Sequence, residues 1–277
     1  MSRGLLLQRL AHAVSGRYRP DREIGRGAMA TVFLAEDLAD GRQVAIKVFR
    51  PELAVGLGPR FQREIDILTR LRHPGIVPIL DSGDAGGLPY LVMPWVAGEN
   101  LRTRLERELQ LPVPTVLAIA ADVAGAIDYA HDQNVLHRDI KPANILLKDD
   151  RAVVCDFGLA RAISRAVAEE LSSSGLILGT PAYMSPEQGQ GREHLSPASD
   201  LYALGCVLFE MLTGEPPFSG ATAQALLARQ LADRPRSIRS VRPDVPVPLE
   251  RAVLAALAKV PEDRPQRGAE LVRALGA

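Results

Sequence analysis

The sequence contains little cysteine, few aromatic residues and no net charge. Two cysteines in 277 residues do not make a disulfide framework, and they lie too far apart for metal-ligand spacing. The balance of 33 basic and 33 acidic residues gives no electrostatic argument for nucleic acid or an anionic membrane as a partner. No segment has the roughly 18 to 20 uninterrupted apolar residues of a spanning helix. We therefore expect a globular, cytoplasmic chain with no nucleic-acid partner and no membrane span of its own.

The pattern of apolar residues changes from strand-like to helix-like near Gly98. Short apolar runs from Tyr18 to Phe49 are separated by a glycine-rich turn and by an Asp-Gly pair, which predicts hairpins. A helix and two further strands, near 77–80 and 88–95, are predicted next, and the later segments have helical spacing. The sequence thus predicts an α+β chain in three parts: an extension with a short helix at 1–17, a small antiparallel β lobe with one helix at 18–96, and a larger, mostly α-helical lobe at 97–277.

The glycine-rich turn contains Gly25 and Gly27 and lies between two predicted strands. A dinucleotide-binding turn must open a helix, so this context argues against that fingerprint. Without a Cβ at either position, backbone amides could approach phosphate groups closely. A plain hairpin explains the segment equally well when it is taken alone.

Lysine is scarce, and Lys47 ends an apolar strand where an ammonium is costly to bury unless anions meet it. The following helix offers Glu64, which by spacing lies near the face of Phe61 and Ile65 that is directed at the sheet. A pair of Lys47 and Glu64 would hold the ammonium against phosphates. The alternative is a lysine that extends to solvent and a solvated glutamate.

Polar residues concentrate between His137 and Asn144, immediately before an apolar run. Asp156 ends the next apolar run. Asp139 and Asp156 supply carboxylates and Asn144 supplies a neutral oxygen, which together form the hard oxygen set that Mg²⁺ prefers. Phosphoryl transfer combines such a metal with a lysine on the phosphates and a base near the attacking hydroxyl.

These motifs occur in the order and at the separations of one family. The chain resembles eukaryotic-type, or Hanks-type, protein kinases, and is most similar to their bacterial Ser/Thr branch. The resemblance runs from about Tyr18 to Leu275 and implies the bilobal protein kinase fold. It is carried by Gly25-x-Gly27, Val44-Ala45-Ile46-Lys47, His137-Arg138-Asp139 with Asn144, and Asp156-Phe157-Gly158.

The resemblance implies a role for each catalytic position. Asp139 would orient the substrate hydroxyl and accept its proton, and Lys141 would reach the γ-phosphate. A lysine at that position marks Ser/Thr specificity in the family. Thr180 would hydrogen-bond both of these residues. Lys47 with Glu64 would position ATP.

The resemblance also implies an ATP site and a metal site. Asn144 and Asp156 would bind Mg²⁺, with Mn²⁺ as a substitute metal. Met93 falls at the gatekeeper position, and backbone groups of Pro94 and Val96 would bind adenine. Pro94 departs from the usual acidic residue but keeps the carbonyl that this contact uses. The implied nucleotide-binding residues are Ile24, Gly25, Gly27, Val32, Ala45, Lys47, Met93, Pro94, Val96, Asn144 and Asp156.

The acceptor is expected to be a protein. Residues 179–187 resemble the segment that receives the residue after the acceptor, which kinases of small molecules lack. Glu187 is expected to pair with Arg264. Asp200 is expected to brace the backbone of His137 and Arg138 in the catalytic loop, which runs from His137 to Asn144. A scaffold that kept the fold but lost catalysis is the other alternative, and intact catalytic positions argue against it.

A serine cluster precedes residues 179–187, which we call the acceptor segment. Ser172, Ser173 and Ser174 match by position the autophosphorylated sites of related bacterial enzymes. Arg138 would meet a phosphate there, adding charge-assisted bonds that order the loop. We expect autophosphorylation to raise activity, with a homodimer as the arrangement that permits it.

Overall fold

The computed structural model describes residues 3–27, 29–50, 59–149, 151–159 and 181–276. The described residues form two compact units. The first takes the chain up to residue 72 together with 77–97, and the second takes 73–76, 98–159 and 181–276.

The first unit is an antiparallel sheet with two helices. Its strands are ordered β1-β2-β3-β5-β4, and every pair of neighbours is antiparallel. An apolar run near 77–80 was expected to form a strand, but the strand begins only at Asp81. The polar residues of β4 pair with 89–92 instead, whereas the preceding Leu80 contributes a single N–H, to the carbonyl of Val92 at 2.8 Å. The elements are α1 (Arg3–Val14), β1 (Tyr18–Arg26), β2 (Ala30–Asp37), β3 (Gln43–Phe49), α2 (Pro59–Leu68), β4 (Asp81–Asp84) and β5 (Pro89–Pro94).

Helix α1 covers one face of this sheet. Leu10 and Val14 are 0% and 4% exposed and share a core cluster with Ile46 and Val48 of β3. Side chains alternate between the faces of a strand, so Lys47, which lies between those two residues, is directed to the opposite face. Full burial of a leucine such as Leu10 stabilises by about 1.5–3 kcal/mol.

The second unit combines a small antiparallel sheet, ordered β6-β7-β8, with a helical core. Single 3₁₀ turns lie at Pro142–Asn144, Pro181–Tyr183, Ile238–Ser240 and Pro261–Asp263. The other elements are β6 (Glu99–Asn100), α3 (Leu101–Glu108), α4 (Val113–Asp132), β7 (Ile145–Lys148), β8 (Arg151–Val154), α5 (Pro186–Gly189), α6 (Pro197–Thr213), α7 (Ala223–Ala232), α8 (Val247–Ala256) and α9 (Gly268–Leu275).

Helix α6 lies at the centre of the second unit. Every residue from Ala198 to Thr213 is buried, so the helix is surrounded by protein on all sides. Helix α4 packs against it. Among the described residues, α4 is the one helix that is both long enough and apolar enough to cross a membrane. Asp122 of α4 accepts from the N–H of Ala152 at 2.8 Å. Here α4 therefore acts as a core helix of the unit.

The last helix is fixed to α4 by its N-terminus. Asp128 accepts hydrogen bonds from the N–H groups of Gly268 and Ala269 at 2.7 and 2.9 Å. The residue before α9 provides no side-chain cap, so a carboxylate from another helix satisfies these donors. A Cβ at Gly268 would lie 2.7 Å from the carbonyl oxygen of Ala124. The close approach of α9 to α4 thus requires glycine.

Candidate active site

The strand register of the first unit brings five of the eleven expected nucleotide-binding residues onto one face. Gly25 pairs with Val32, and Val32 pairs with Lys47, so these residues form a row across three strands. Ala45 pairs with Met93 in the next row on the same face. This face is opposite to the one that α1 covers. Ile24 lies in β1 beside this row, and Val96 follows the end of β5 at Pro94.

The glycine-rich turn is held by the chain around it. The N–H of Gly27 donates to the carbonyl of Ala30 at 2.9 Å, and the Arg50 guanidinium donates to the carbonyl of Gly27 at 3.1 Å. This contact between Arg50 and Gly27 was not predicted from the sequence. A Cβ at Gly25 or Gly27 would have its nearest neighbour at 3.9 Å, an ordinary contact. Neighbouring atoms of the unit therefore do not require glycine at either position.

Lys47 and Glu64 both lie in the first unit. Each is half-buried, Lys47 on β3 and Glu64 on α2. Ile65, next to Glu64, is fully buried, as the helical spacing predicts. The side chain of Phe61 lies outside the described residues. The Lys47–Glu64 pair stays a prediction.

The catalytic loop of the second unit brings three of the expected residues together. Lys141 donates from Nζ to Oδ2 of Asp139 at 2.6 Å. Asn144 donates from Nδ2 to the same oxygen at 3.1 Å and to the Asp139 carbonyl at 2.8 Å. The carboxylate is thereby held by a cation and an amide. Because the amide nitrogen of Asn144 serves Asp139, its amide oxygen is the atom suited to a hard cation.

A buried carboxylate braces the backbone of this loop, as expected. Asp200 accepts from the N–H groups of His137 and Arg138 at 2.8 and 2.7 Å. Arg138 has a φ of 68°, a left-handed conformation that costs energy in a residue with a side chain. Burial raises the pKa of Asp200, but the His131 imidazole, bound at 2.8 Å, and the backbone donors lower it below its usual value. The charged carboxylate thus holds a strained backbone immediately before the catalytic aspartate.

The catalytic loop is joined to the segment that carries Asp156. The N–H of Asp139 donates to Nδ1 of His137 at 3.2 Å, so Nε2 carries the proton and donates to the carbonyl of Cys155 at 2.9 Å. The N–H of Cys155 in turn donates to the carbonyl of Asn144 at 3.0 Å. Asp156 follows with a φ of 67°. The backbone of Cys155 therefore links Asn144, to which it is hydrogen-bonded, to Asp156, the next residue in the chain.

The expected ion pair of the acceptor segment is confirmed. Arg264 donates to both oxygens of Glu187 at 2.7 and 2.8 Å, and the two side chains are 0% and 5% exposed. Ser199 donates a further hydrogen bond to Glu187 at 2.6 Å. Burial raises the pKa of Glu187, but these donors lower it to about 2. The expected phosphorylation cluster and Thr180 lie outside the described residues.

Several long-range contacts of this region were not predicted. Gln188 donates to the carbonyl of Arg138 at 2.9 Å and so links the acceptor segment to the catalytic loop. Tyr183 donates to Glu210 at 2.6 Å, and Arg102 donates to Glu210 at 2.8 Å. No local pattern in the sequence signals such partners, because they lie on separate helices and turns.

Known proteins share these features. Residues 18–268 match the model of a family described as the protein kinase domain. The chain is 39% identical over 265 residues to the serine/threonine-protein kinase PknB of Mycobacterium leprae, and 40% identical over 265 residues to that of Mycolicibacterium smegmatis. Each match covers 93% of this chain but 42% of the relative. The chain thus spans about two fifths of the length of these curated relatives.

A solved structure has the same fold. The crystal structure of Rad53 1-466 in complex with AMP-PNP matches with a TM-score of 0.79 and 25% sequence identity. The match covers 98% of this chain and 68% of that chain. It confirms the expected α+β fold class, with an antiparallel sheet in one part and helices in the other.

Proposed function

Because this chain belongs to the protein kinase family, we propose that it transfers the γ-phosphoryl group of ATP to serine or threonine hydroxyls of proteins. The observation that carries the proposal is the cluster in which Lys141 and Asn144 both bind one oxygen of Asp139, at 2.6 and 3.1 Å. Proteins of this family generally use ATP and Mg²⁺. A base, a cation and a hard-oxygen ligand within one short loop are the groups that phosphoryl transfer needs.

Asp139 orients the acceptor hydroxyl and receives its proton. Lys141 donates to its carboxylate at 2.6 Å, and that same ammonium neutralises charge on the transferred group. The transition state is loose, so positioning and electrostatic stabilisation supply most of the rate enhancement. The strained backbone at Arg138, held by Asp200, fixes the position of Asp139.

The donor set fits Mg²⁺. Asn144 supplies an amide oxygen and Asp156 a carboxylate, both hard ligands, and the Cys155 bond to Asn144 keeps the two positions together. When bound, Mg²⁺ would neutralise charge on the phosphates. Taken by itself, the first unit carries the row of Gly25, Val32 and Lys47, whose backbone amides and ammonium are groups that bind phosphates. The AMP-PNP complex of Rad53 supports a nucleotide as the ligand.

The acceptor is a protein rather than a small molecule. The segment from Tyr183 to Glu187 is anchored by a buried ion pair and by Gln188, which bonds to the catalytic loop. A segment held against the catalytic loop in this way suits an extended peptide as the acceptor. The relatives named as serine/threonine-protein kinases support the same class of substrate. The scaffold alternative predicts a missing or displaced catalytic group, whereas Asp139, Lys141 and Asn144 are joined.

We further propose that the chain autophosphorylates at Ser172, Ser173 or Ser174 within a homodimer, and that it acts in the cytoplasm. The support for the first is the position of these serines before the acceptor segment. The support for the second is that two cysteines in 277 residues do not make a disulfide framework, which suits a reducing compartment.

Substitution of the catalytic aspartate tests the proposal. The Asp139→Asn variant should lose about 10²- to 10⁴-fold in kcat, because the proton acceptor is lost, while ATP affinity changes little. The assay measures transfer from labelled ATP with Mg²⁺ to a generic basic protein. The exposed Asp21→Asn variant is the matched control and should keep the activity of the unmodified chain. Equal rates for the Asp139 variant and the unmodified chain would refute the assignment.

A further inference from the structure

Arg102 joins the acceptor segment to the central helix of the second unit. It lies in the first turn of α3 and donates to Oε1 and Oε2 of Glu210 at 2.8 and 3.3 Å. It also donates to the hydroxyl of Tyr183, which in turn donates to Oε2 of Glu210 at 2.6 Å. We call these three residues the Arg102 triad.

The two charges of the Arg102 triad are unequally exposed. The side chain of Glu210 is 3% exposed, whereas that of Arg102 is 34% exposed. Burial and the Glu210 carboxylate raise the pKa of Tyr183, so its hydroxyl remains a donor. The guanidinium is therefore the part of the triad that solvent and other molecules reach, and the carboxylate lies behind it.

A carboxylate buried to this extent needs a cation. Leaving it without one costs several kcal/mol in general, so a positive group must come either from the chain or from a bound molecule. Here Arg102 supplies it from the chain. Tyr183, the third member, belongs to the segment that resembles the one receiving the residue after the acceptor, so the triad lies beside that expected subsite.

We propose that Arg102 is a specificity-determining residue of the acceptor site. By neutralising Glu210 from within the chain, it removes the demand for a basic side chain on the substrate, and it leaves the acceptor segment with no net charge at this point. The inference rests on the proposed protein kinase activity and concerns which peptides are selected.

The Arg102→Met variant tests this inference directly. Methionine keeps the aliphatic stem but removes all donors, so Glu210 must take its cation from the substrate. With a positional-scanning library of serine peptides, kcat/KM should rise about tenfold for peptides with lysine or arginine at one position relative to alanine, a ratio equivalent to about 1.4 kcal/mol. The KM for ATP should not change. A variant with unaltered peptide preference would overturn the inference.

A second variant gives the reciprocal result and does not depend on the first one folding. Glu210→Gln keeps hydrogen-bonding groups but leaves the Arg102 charge unbalanced, so the library should now select aspartate or glutamate at that position. A double variant with both substitutions should show neither preference, because it has neither charge. An acidic preference that fails to appear in Glu210→Gln would also overturn the inference.

The matched control is Arg104→Met. Arg104 lies on the same helix and pairs with Glu108 at 3.3 Å, away from the triad, so its peptide preference should equal that of the unmodified chain. A basic preference in this control as well would refute the special role of Arg102. If the unmodified chain transfers no phosphate to any library peptide, the proposed function fails together with the inference. If it does transfer phosphate, an unaltered peptide preference in the variants refutes the inference alone and leaves the proposed function standing.

Discussion

The buried ion pair between Glu187 and Arg264 should make stability depend on pH in a specific way. Both oxygens of Glu187 accept from the guanidinium, and neither side chain is more than 5% exposed. Glu187→Gln keeps the shape but leaves a buried guanidinium without its counter-charge. Breaking a buried pair in this manner costs about 3–5 kcal/mol. At about 2–4 °C per kcal/mol in a chain of this size, Tm should fall by about 10 °C.

The pH dependence follows from the pKa of Glu187. Burial raises that pKa, but the hydrogen bonds from Arg264 and Ser199 lower it more, so that it falls from 4.5 to about 2. Since one pKa unit corresponds to about 1.36 kcal/mol, the charged carboxylate contributes about 3 kcal/mol to the free energy of unfolding. The folded-state pKa is the lower one. The contribution is therefore fully present above pH 4.5 and is lost as the pH falls towards 2.

Urea unfolding at a series of pH values measures this contribution. The free energy of unfolding of the unmodified chain minus that of Glu187→Gln should be largest near pH 6 and should shrink by about 3 kcal/mol towards pH 2. A difference that stays constant over this range would show that the pKa of Glu187 is not lowered, and would refute the reasoning. Glu215→Gln is the control, because Glu215 pairs with Arg236 at 2.9 Å with a side chain that is 72% exposed. Its effect should stay below about 1 kcal/mol throughout.

Two glycines give further stability predictions by the same assay. Gly98→Ala should destabilise by about 3 kcal/mol or more, because Gly98 has a φ of 148° and a Cβ would lie 2.1 Å from the carbonyl oxygen of Leu147. Gly268→Ala should cost about 1–3 kcal/mol, since its Cβ would lie 2.7 Å from the carbonyl oxygen of Ala124 and push α9 away from α4. Gly16→Ala, with no atom within 4 Å of a Cβ, should change the free energy of unfolding by less than about 0.5 kcal/mol. Equal stability of all three variants would contradict both assignments.

The local part of the candidate site could be predicted from the sequence. Asp139, Lys141 and Asn144 are separated by a few residues, so a single loop places them together. The face shared by Val32 and Lys47 follows from strand alternation once the hairpin between their strands is recognised. Contacts of this kind follow from the local conformation of the chain and do not depend on how distant elements pack.

Long-range partners were predicted only where the family resemblance supplied them. Glu187 with Arg264, and Asp200 with the catalytic loop, are contacts of that kind. The Arg102 triad depends on the packing of α3 beside α6, which no periodicity encodes. Local pattern also misled at the polar strand β4, because pairing with β5 outweighs the low strand propensity of its Asp, Ser and Gly residues.

Helix α1 has a practical consequence for work on this chain. It ends before residue 18, where the match to the family model begins, yet it supplies Leu10 and Val14 to the core of the first unit. A truncated variant that starts at Tyr18 would expose Ile46, Val48 and the apolar side chains around them to water. Such a contiguous patch favours association between copies, so aggregation of the truncated protein would report the loss of a cover rather than a fault in the catalytic residues.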